Sequence, residues 1–161
     1  MKKNNPLILS IFFFILFSSC VGYEPIFKTT NIQFKISEYS IEGNNKLGKK
    51  IYSKLDKLTK SQKNNENAKS INLSIDVSKN KEAISRDSSG KILEYKITLN
   101  TKVEITGHLT ENKILKQTFA SSVAYKVQDQ YSDTINLENK SIDDLIEKTY
   151  QELIIRISEN I

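Results

Sequence analysis

Few side chains in this sequence could act as a nucleophile, a base or a soft metal ligand. There is one cysteine, Cys20, and one histidine, His108, which is in a predicted turn where a solvated side chain is expected. A zinc site needs several His, Cys or carboxylate ligands, and a phosphate-binding loop needs glycines that the sequence does not provide. The adjacent acids Asp143 and Asp144 are explained by a helix start, where carboxylates stabilise free N–H groups. We therefore expect neither an enzyme nor a metal site, and glycosidase-type carboxylate chemistry is the enzymatic alternative that the sequence leaves open.

Cys20 follows a segment with the parts of a bacterial export signal. Lys2 and Lys3 form a positive start, and the apolar run Leu7–Phe17 is interrupted only by Ser10. A membrane-spanning helix needs about 20 apolar residues, so this run is a signal core and not an anchor. The segment predicts export from the cytoplasm.

The residues before the cysteine resemble the lipobox of bacterial lipoproteins, with the sequence Leu16-Phe17-Ser18-Ser19-Cys20. In that motif the thiol is acylated and the peptide bond before it is cut. We expect a signal peptide over residues 1–19 and a lipidated tether over residues 20–30. Two or three acyl chains hold a protein on a bilayer, because each buried CH₂ contributes about 0.8 kcal/mol. An ordinary cleaved signal with a chance cysteine is the alternative.

Composition describes the mature part as one domain with a mildly basic surface. After the first nineteen residues the chain contains 22 lysines and arginines and 19 acidic residues, and Arg86 and Arg156 are the only arginines. Nucleic-acid binders use arginine forks and stacked aromatics along a basic stripe, so no nucleic-acid partner is expected. The basic balance indicates a solvated surface, with contact to an anionic lipid as the lesser alternative.

Periodicity predicts an α+β domain over residues 31–161 in the order β-α-β-β-β-α. Apolar residues alternate in the strands and recur every three or four positions in the helices. The expected architecture is a single, four-stranded, mostly antiparallel sheet with both helices on one face. The predicted strands cover 31–38, 71–77 with a continuation to a turn at 88–90, 93–105 and 115–125; the helices cover 46–60 and 141–157, and Ser61–Lys69 is a loop.

Each predicted helix has one apolar stripe that should face the sheet. The second helix should begin at Ser141, with Asp143 and Asp144 in its first turn. The stripes are Leu47, Ile51, Leu55 and Leu58 in the first helix, and Ile142, Leu145, Ile146, Leu153, Ile154 and Ile157 in the second.

Two segments and the element order together resemble a known family, the lipopolysaccharide-assembly lipoproteins called LptE. The segments are Gly22-Tyr23-Glu24-Pro25-Ile26-Phe27 and the hairpin Arg86-Asp87-Ser88-Ser89-Gly90-Lys91-Ile92-Leu93-Glu94-Tyr95. The resemblance covers essentially all of the mature chain. It implies a non-enzymatic lipoprotein on the periplasmic side of the outer membrane, which plugs the β-barrel LptD, supports its folding and helps to pass lipopolysaccharide to the outer leaflet. No cofactor is expected besides the covalent lipid on Cys20.

Lipopolysaccharide has phosphates and carboxylates that cations on a projecting element could bind. Arg86 and Lys91 flank the predicted turn, and Lys126 ends the neighbouring strand, so these are the candidate lipopolysaccharide-binding residues. Solvated turn charges are the alternative. An auxiliary lipoprotein of another envelope machine, such as a lipid-transport ABC system or a regulator of cell-wall synthesis, is the alternative function.

Overall fold

Six elements follow one another in the predicted order in the computed structural model, which describes residues 34–61 and 68–160. The signal peptide, the tether with Cys20, the first residues of the predicted first strand and most of the predicted loop lie outside the described residues. The elements are β1 (Phe34–Gly43), α1 (Asn45–Ser61), β2 (Lys69–Arg86), β3 (Ile92–Gly107), β4 (Lys113–Lys126) and α2 (Tyr131–Asn160).

The strands form one sheet in the order β1-β2-β3-β4. β1 runs parallel to β2, which it reaches through the crossover helix α1, and the other two pairs are antiparallel. A parallel pair needs a crossover connection, whereas antiparallel neighbours need only a short turn. The sheet is therefore mostly antiparallel, as predicted.

Both helices pack on one face of the sheet. From Ile71 to Val77 of β2 and from Ile97 to Ile105 of β3 every second side chain is buried against them, as the period of a half-buried strand requires. All members of the two predicted helix stripes are in or against this core, so the predicted faces are confirmed. The core of the described residues combines Leu47, Ile51 and Leu55 of α1 with Phe34, Ile71, Leu73, Ile75, Val77, Ile97, Leu99, Val103, Ile105, Leu115, Phe119 and Tyr125 of the sheet and Ile142, Leu145, Ile146, Leu153, Ile154 and Ile157 of α2.

β1 extends five residues beyond its predicted end at Glu38, because a bulge changes its periodicity. The register with β2 shifts between Ile36 and Glu38, so the strand continues with the opposite parity. Ile41 then faces α1 at Gly48, where a Cβ would overlap the Cγ2 atom of Ile41. Glycine at this position allows the helix to approach the strand closely.

The predicted start of the second helix is wrong by ten residues. α2 begins at Tyr131 and not at Ser141, and it is 30 residues long. Asp143 and Asp144 are consequently inside the helix, so they cannot cap it. The carboxylate of Asp143 instead accepts a hydrogen bond from Lys50 Nζ of α1 at 2.6 Å.

Contacts with the loop after β4 and with the core explain why α2 starts early. The buried Thr134 accepts a hydrogen bond at its Oγ1 atom from the backbone N–H of Gln128, at 2.8 Å. Leu137, one turn further on, packs against the core. These contacts stabilise a first helical turn whose own sequence is polar.

Candidate functional site

The hairpin between β2 and β3 projects beyond the two-layered core. From Glu82 to Glu94, a segment that the structure describes completely, no side chain is fully buried. Two apolar side chains, Ile84 and Leu93, are 45% and 44% exposed. The register of the two strands shifts twice near Ser85, which increases the local twist. The long strands therefore carry a solvent-exposed tip, as their predicted lengths indicate.

A network of hydrogen bonds centred on Asp87 orders the turn. Its Oδ1 atom accepts from the backbone N–H and the hydroxyl of Ser89, at 2.9 and 2.6 Å, and from the backbone N–H of Lys91 at 2.9 Å. Gly90 has a φ of +84°, which glycine adopts without strain. The hydrogen bond from the Ser89 hydroxyl is the main cause that lowers the pKa of Asp87. The carboxylate thus stays ionised at neutral pH.

Two of the three predicted site residues lie together at this tip. Arg86 donates from Nη1 to the carbonyl oxygen of Gly90 at 2.9 Å, which leaves its other N–H groups available. Lys91 is exposed on the opposite side of the turn. Lys126, the third residue, is on β4 in register with Glu94 of β3. The structure therefore places Arg86 and Lys91 at one site and Lys126 at its base.

An ionic cluster that no pattern in the sequence predicts holds the base of the hairpin against α2. Glu138 of α2 accepts hydrogen bonds from Lys81 Nζ at 2.6 Å and from the Tyr125 hydroxyl at 3.0 Å. Lys79 Nζ lies 3.6 Å from the same carboxylate. The Lys81 ammonium is 4.2 Å from the centre of the Tyr95 ring, a cation–π contact. We call these five residues the Glu138 cluster.

Hydrogen bonding outweighs burial in setting the pKa values of Glu138 and Lys81. Burial alone would raise the pKa of Glu138, yet the hydrogen bonds from Lys81 and Tyr125 lower it below its ordinary value. Burial likewise opposes the charge on Lys81, but its bond to Glu138 raises the pKa of the ammonium. Burial raises the pKa of Tyr125. At neutral pH the Lys81 ammonium and the Glu138 carboxylate are both charged, and the Tyr125 phenol is neutral.

Glu138→Gln should destabilise the domain by about 1–2 kcal/mol at pH 7, because the amide replaces a charge-assisted acceptor in a partly exposed pair. The folded-state pKa of Glu138 is lowered, so its contribution is complete above the ordinary value of 4.5 and is lost as pH falls through the folded pKa. Thermal melts of both proteins from pH 7 to pH 3 should show the difference in Tm narrowing below about pH 4.5.

Glu152→Gln is the matched control for this series, because Glu152 is on the same helix and none of the described hydrogen bonds or ion pairs involves it. Its free energy of unfolding should remain within about 0.5 kcal/mol of that of the parent protein. A Glu138→Gln difference that is constant between pH 7 and pH 3 would contradict a role for the carboxylate charge.

The face of the sheet opposite the helices is polar and uncovered by any described element. It consists mainly of small uncharged polar residues with a few charged residues. We call it the open sheet face, and its central members are Asn72, Ser74, Asp76, Thr98, Asn100, Lys102, Thr118, Ala120 and Ser122.

The remaining chemistry-bearing residues have ordinary surroundings. His108 lies in the turn after β3, half-buried, with its Nδ1 atom 2.8 Å from the side-chain oxygen of Asn72. Within residues 34–61 and 68–160, no group of three or more His, Cys, Asp or Glu side chains could hold a metal ion. In the same part of the chain no helix has the length and apolarity needed to cross a membrane.

The fold is similar to that of solved bacterial lipoproteins. The structure of lipoprotein B from Nitrosomonas europaea aligns with a TM-score of 0.60 and 13% identity, over 86% of this chain and 91% of that chain. Rare lipoprotein B from Shewanella oneidensis aligns with a TM-score of 0.53 and 9% identity, over 76% of this chain and 94% of that chain. A minor lipoprotein from Acinetobacter baumannii aligns with a TM-score of 0.50 and 16% identity, over 79% of this chain and 94% of that chain. These alignments show that the chain has the fold of these lipoproteins. No protein-family model and no curated protein matches the sequence.

Proposed function

We propose that this chain is a non-enzymatic lipoprotein of the LptE type, lipidated at Cys20 and held on the periplasmic side of the outer membrane. In this role it plugs and supports an LptD-type β-barrel and helps to transfer lipopolysaccharide to the outer leaflet. The observation that carries the proposal is the fold shared with proteins named as lipoproteins, combined with a lipobox-like start in this sequence.

The open sheet face supports a role inside a barrel. The lumen of a wide outer-membrane barrel is polar, so a plug needs a polar surface that forms hydrogen bonds. Thr98, Asn100 and Ser122 present such groups at the centre of the face.

The tip of the β2–β3 hairpin supports contact with lipopolysaccharide. Arg86 and Lys91 flank an ordered turn, and the planar guanidinium of Arg86 fits phosphate oxygens well. The Glu138 cluster holds the base of the hairpin, which keeps these cations well away from the core. The exposed side chains of Ile84 and Leu93, two positions along the chain from Arg86 and Lys91, are available to contact acyl chains.

Co-purification tests the barrel partnership. The tagged chain, extracted from envelopes in mild detergent, should bring down a large β-barrel protein as a stable complex. Recovery with an inner-membrane ATPase system and without a barrel would instead favour an auxiliary lipoprotein of another envelope machine.

The double variant Arg86→Glu/Lys91→Glu should weaken lipopolysaccharide binding by about tenfold or more at low salt, because two attractive charges become repulsive. The loss should shrink as salt rises, since exposed charges are screened within about 10 Å at 0.1 M. Binding of purified lipopolysaccharide across a salt series measures this, while barrel co-purification and Tm should be unchanged.

Lys140→Glu/Lys148→Glu is the matched control, because it makes the same charge change at exposed positions of α2. Equal losses in the two double variants would show that only net charge matters. Unchanged binding by the hairpin variant would reject the hairpin as the site and leave the barrel partnership open.

A further inference from the structure

Helix α1 carries a concentration of positive charge that the proposed function does not use. It contains six lysines and a single acid, Asp56, for a net charge of +5. The whole chain after residue 19 has 22 basic and 19 acidic residues, so the rest of it has a net charge of −2. The positive charge of the mature chain is therefore located on this one helix.

The lysines of α1 occupy a single face. At 3.6 residues per turn, five of them fall within an arc of about 100° centred on Ser53. The buried Leu47, Ile51 and Leu55 lie on the other side, against the sheet. We call this exposed face the lysine stripe; its members are Lys46, Lys49, Lys50, Lys57 and Lys60.

Carboxylates neutralise only part of this charge. Along one flank, Lys50 and Lys54 pair with Asp143 and Glu147 of α2, each at 2.6 Å. Lys60 pairs with Asp56 at 2.7 Å in the last turns of the helix.

Three cations of the stripe remain without a partner. Among residues 34–61 and 68–160, none of the hydrogen bonds or ion pairs engages the side chain of Lys46, Lys49 or Lys57. Lys49 and Lys57 border an open groove of about 670 Å³ between the two helices. The stripe thus presents free ammonium groups to whatever lies above α1.

We propose that the lysine stripe lies on the anionic headgroups of the bilayer leaflet that holds the lipid anchor, in the barrel-free protein. The proposal rests on the proposed lipidation of Cys20, which is fourteen residues before Phe34. A chain of that length spans at most about 50 Å, so the domain remains within reach of the bilayer. Each lysine in a cluster close to an anionic membrane raises the membrane partition coefficient by about fivefold.

The chemistry of the stripe favours a lipid surface over an acidic protein. Stable protein interfaces have a core of aromatic or apolar residues, and they are depleted in lysine. The lysine stripe contains no apolar side chain, because those of α1 lie in the domain core or pack against it. The helix therefore cannot insert into hydrocarbon, and it binds at headgroup level through charge alone.

A fluorescence-quenching experiment tests this placement. The lipidated chain with Ser53→Cys, labelled at that thiol, is reconstituted into phosphatidylcholine vesicles with or without phosphatidylglycerol, and nitroxide-labelled headgroups serve as quencher. Quenching is expected in the anionic vesicles only, and it should decrease as salt rises. The same label at Ser122→Cys on the open sheet face should remain unquenched.

Charge reversal identifies the contact. Lys46→Glu/Lys49→Glu/Lys57→Glu should abolish the quenching at position 53, whereas a triple reversal elsewhere should retain it. The matched control is Lys102→Glu/Lys140→Glu/Lys148→Glu, in which all three lysines are exposed.

Several results would overturn the proposal: equal quenching in neutral vesicles, retained quenching in the stripe variant, or equal loss in both triple variants. If the stripe variant does not fold, the quenching of labels at positions 53 and 122 is compared across lipid composition and salt. Equal quenching at the two positions would then overturn the proposal. Flotation of the parent chain with neutral vesicles reports the lipid anchor separately, so failure of the anchor is distinguished from failure of the stripe.

Discussion

Leu153→Ala should lower the free energy of unfolding by about 2–5 kcal/mol, since it removes buried methylenes and leaves a cavity that the sheet and α2 cannot fill. Leu153 is fully buried at the centre of the stripe that α2 turns towards the sheet. Urea or thermal denaturation of the purified domain measures the loss. Leu145→Ala, at a position that is 4% exposed, should give a similar result.

Lys148→Ala is the control for this substitution, because Lys148 is on the outer face of the same helix. It should change stability by no more than about 0.5 kcal/mol. Equal melting shifts for Leu153→Ala and Lys148→Ala would be incompatible with the burial of this helix face.

Cys20→Ser should abolish labelling by radioactive palmitate, because a hydroxyl cannot replace the thiol that is acylated in a lipobox. The protein should then accumulate in an unprocessed or released form. Metabolic labelling followed by fractionation measures both effects. Ser18→Ala should retain labelling, since it keeps a small residue before the cysteine. Continued labelling of Cys20→Ser would refute the lipoprotein proposal.

The element order and the buried faces were predictable from sequence because they depend on local periodicity. Alternation with a period of two marks the strands, and spacing of three and four marks the helices. Both patterns hold wherever one face is buried, which is why Leu47, Ile51 and Leu153 were assigned correctly. The charged turn with Arg86 and Lys91 was predictable for the same reason, since it joins two alternating segments.

Boundaries that depend on distant contacts could not be predicted in this way. α2 starts at Tyr131 because Thr134 bonds to Gln128 in the loop after β4 and Leu137 packs against the core, and a polar sequence contains no sign of those partners. β1 continues past Glu38 because a bulge reverses its parity in pairing with β2.

The sequence by itself determined the α+β order, the apolar faces and the lipobox-like start, since each is a pattern among near neighbours in the chain. Only the tertiary structure decided which charges meet. Lys81 and Glu138 are 57 positions apart, and Lys50 and Asp143 are 93 apart. Strand register and helix packing bring such groups within hydrogen-bond distance. The tertiary structure also decided which lysines of α1 remain free, because their neutralisation depends on where α2 places its carboxylates.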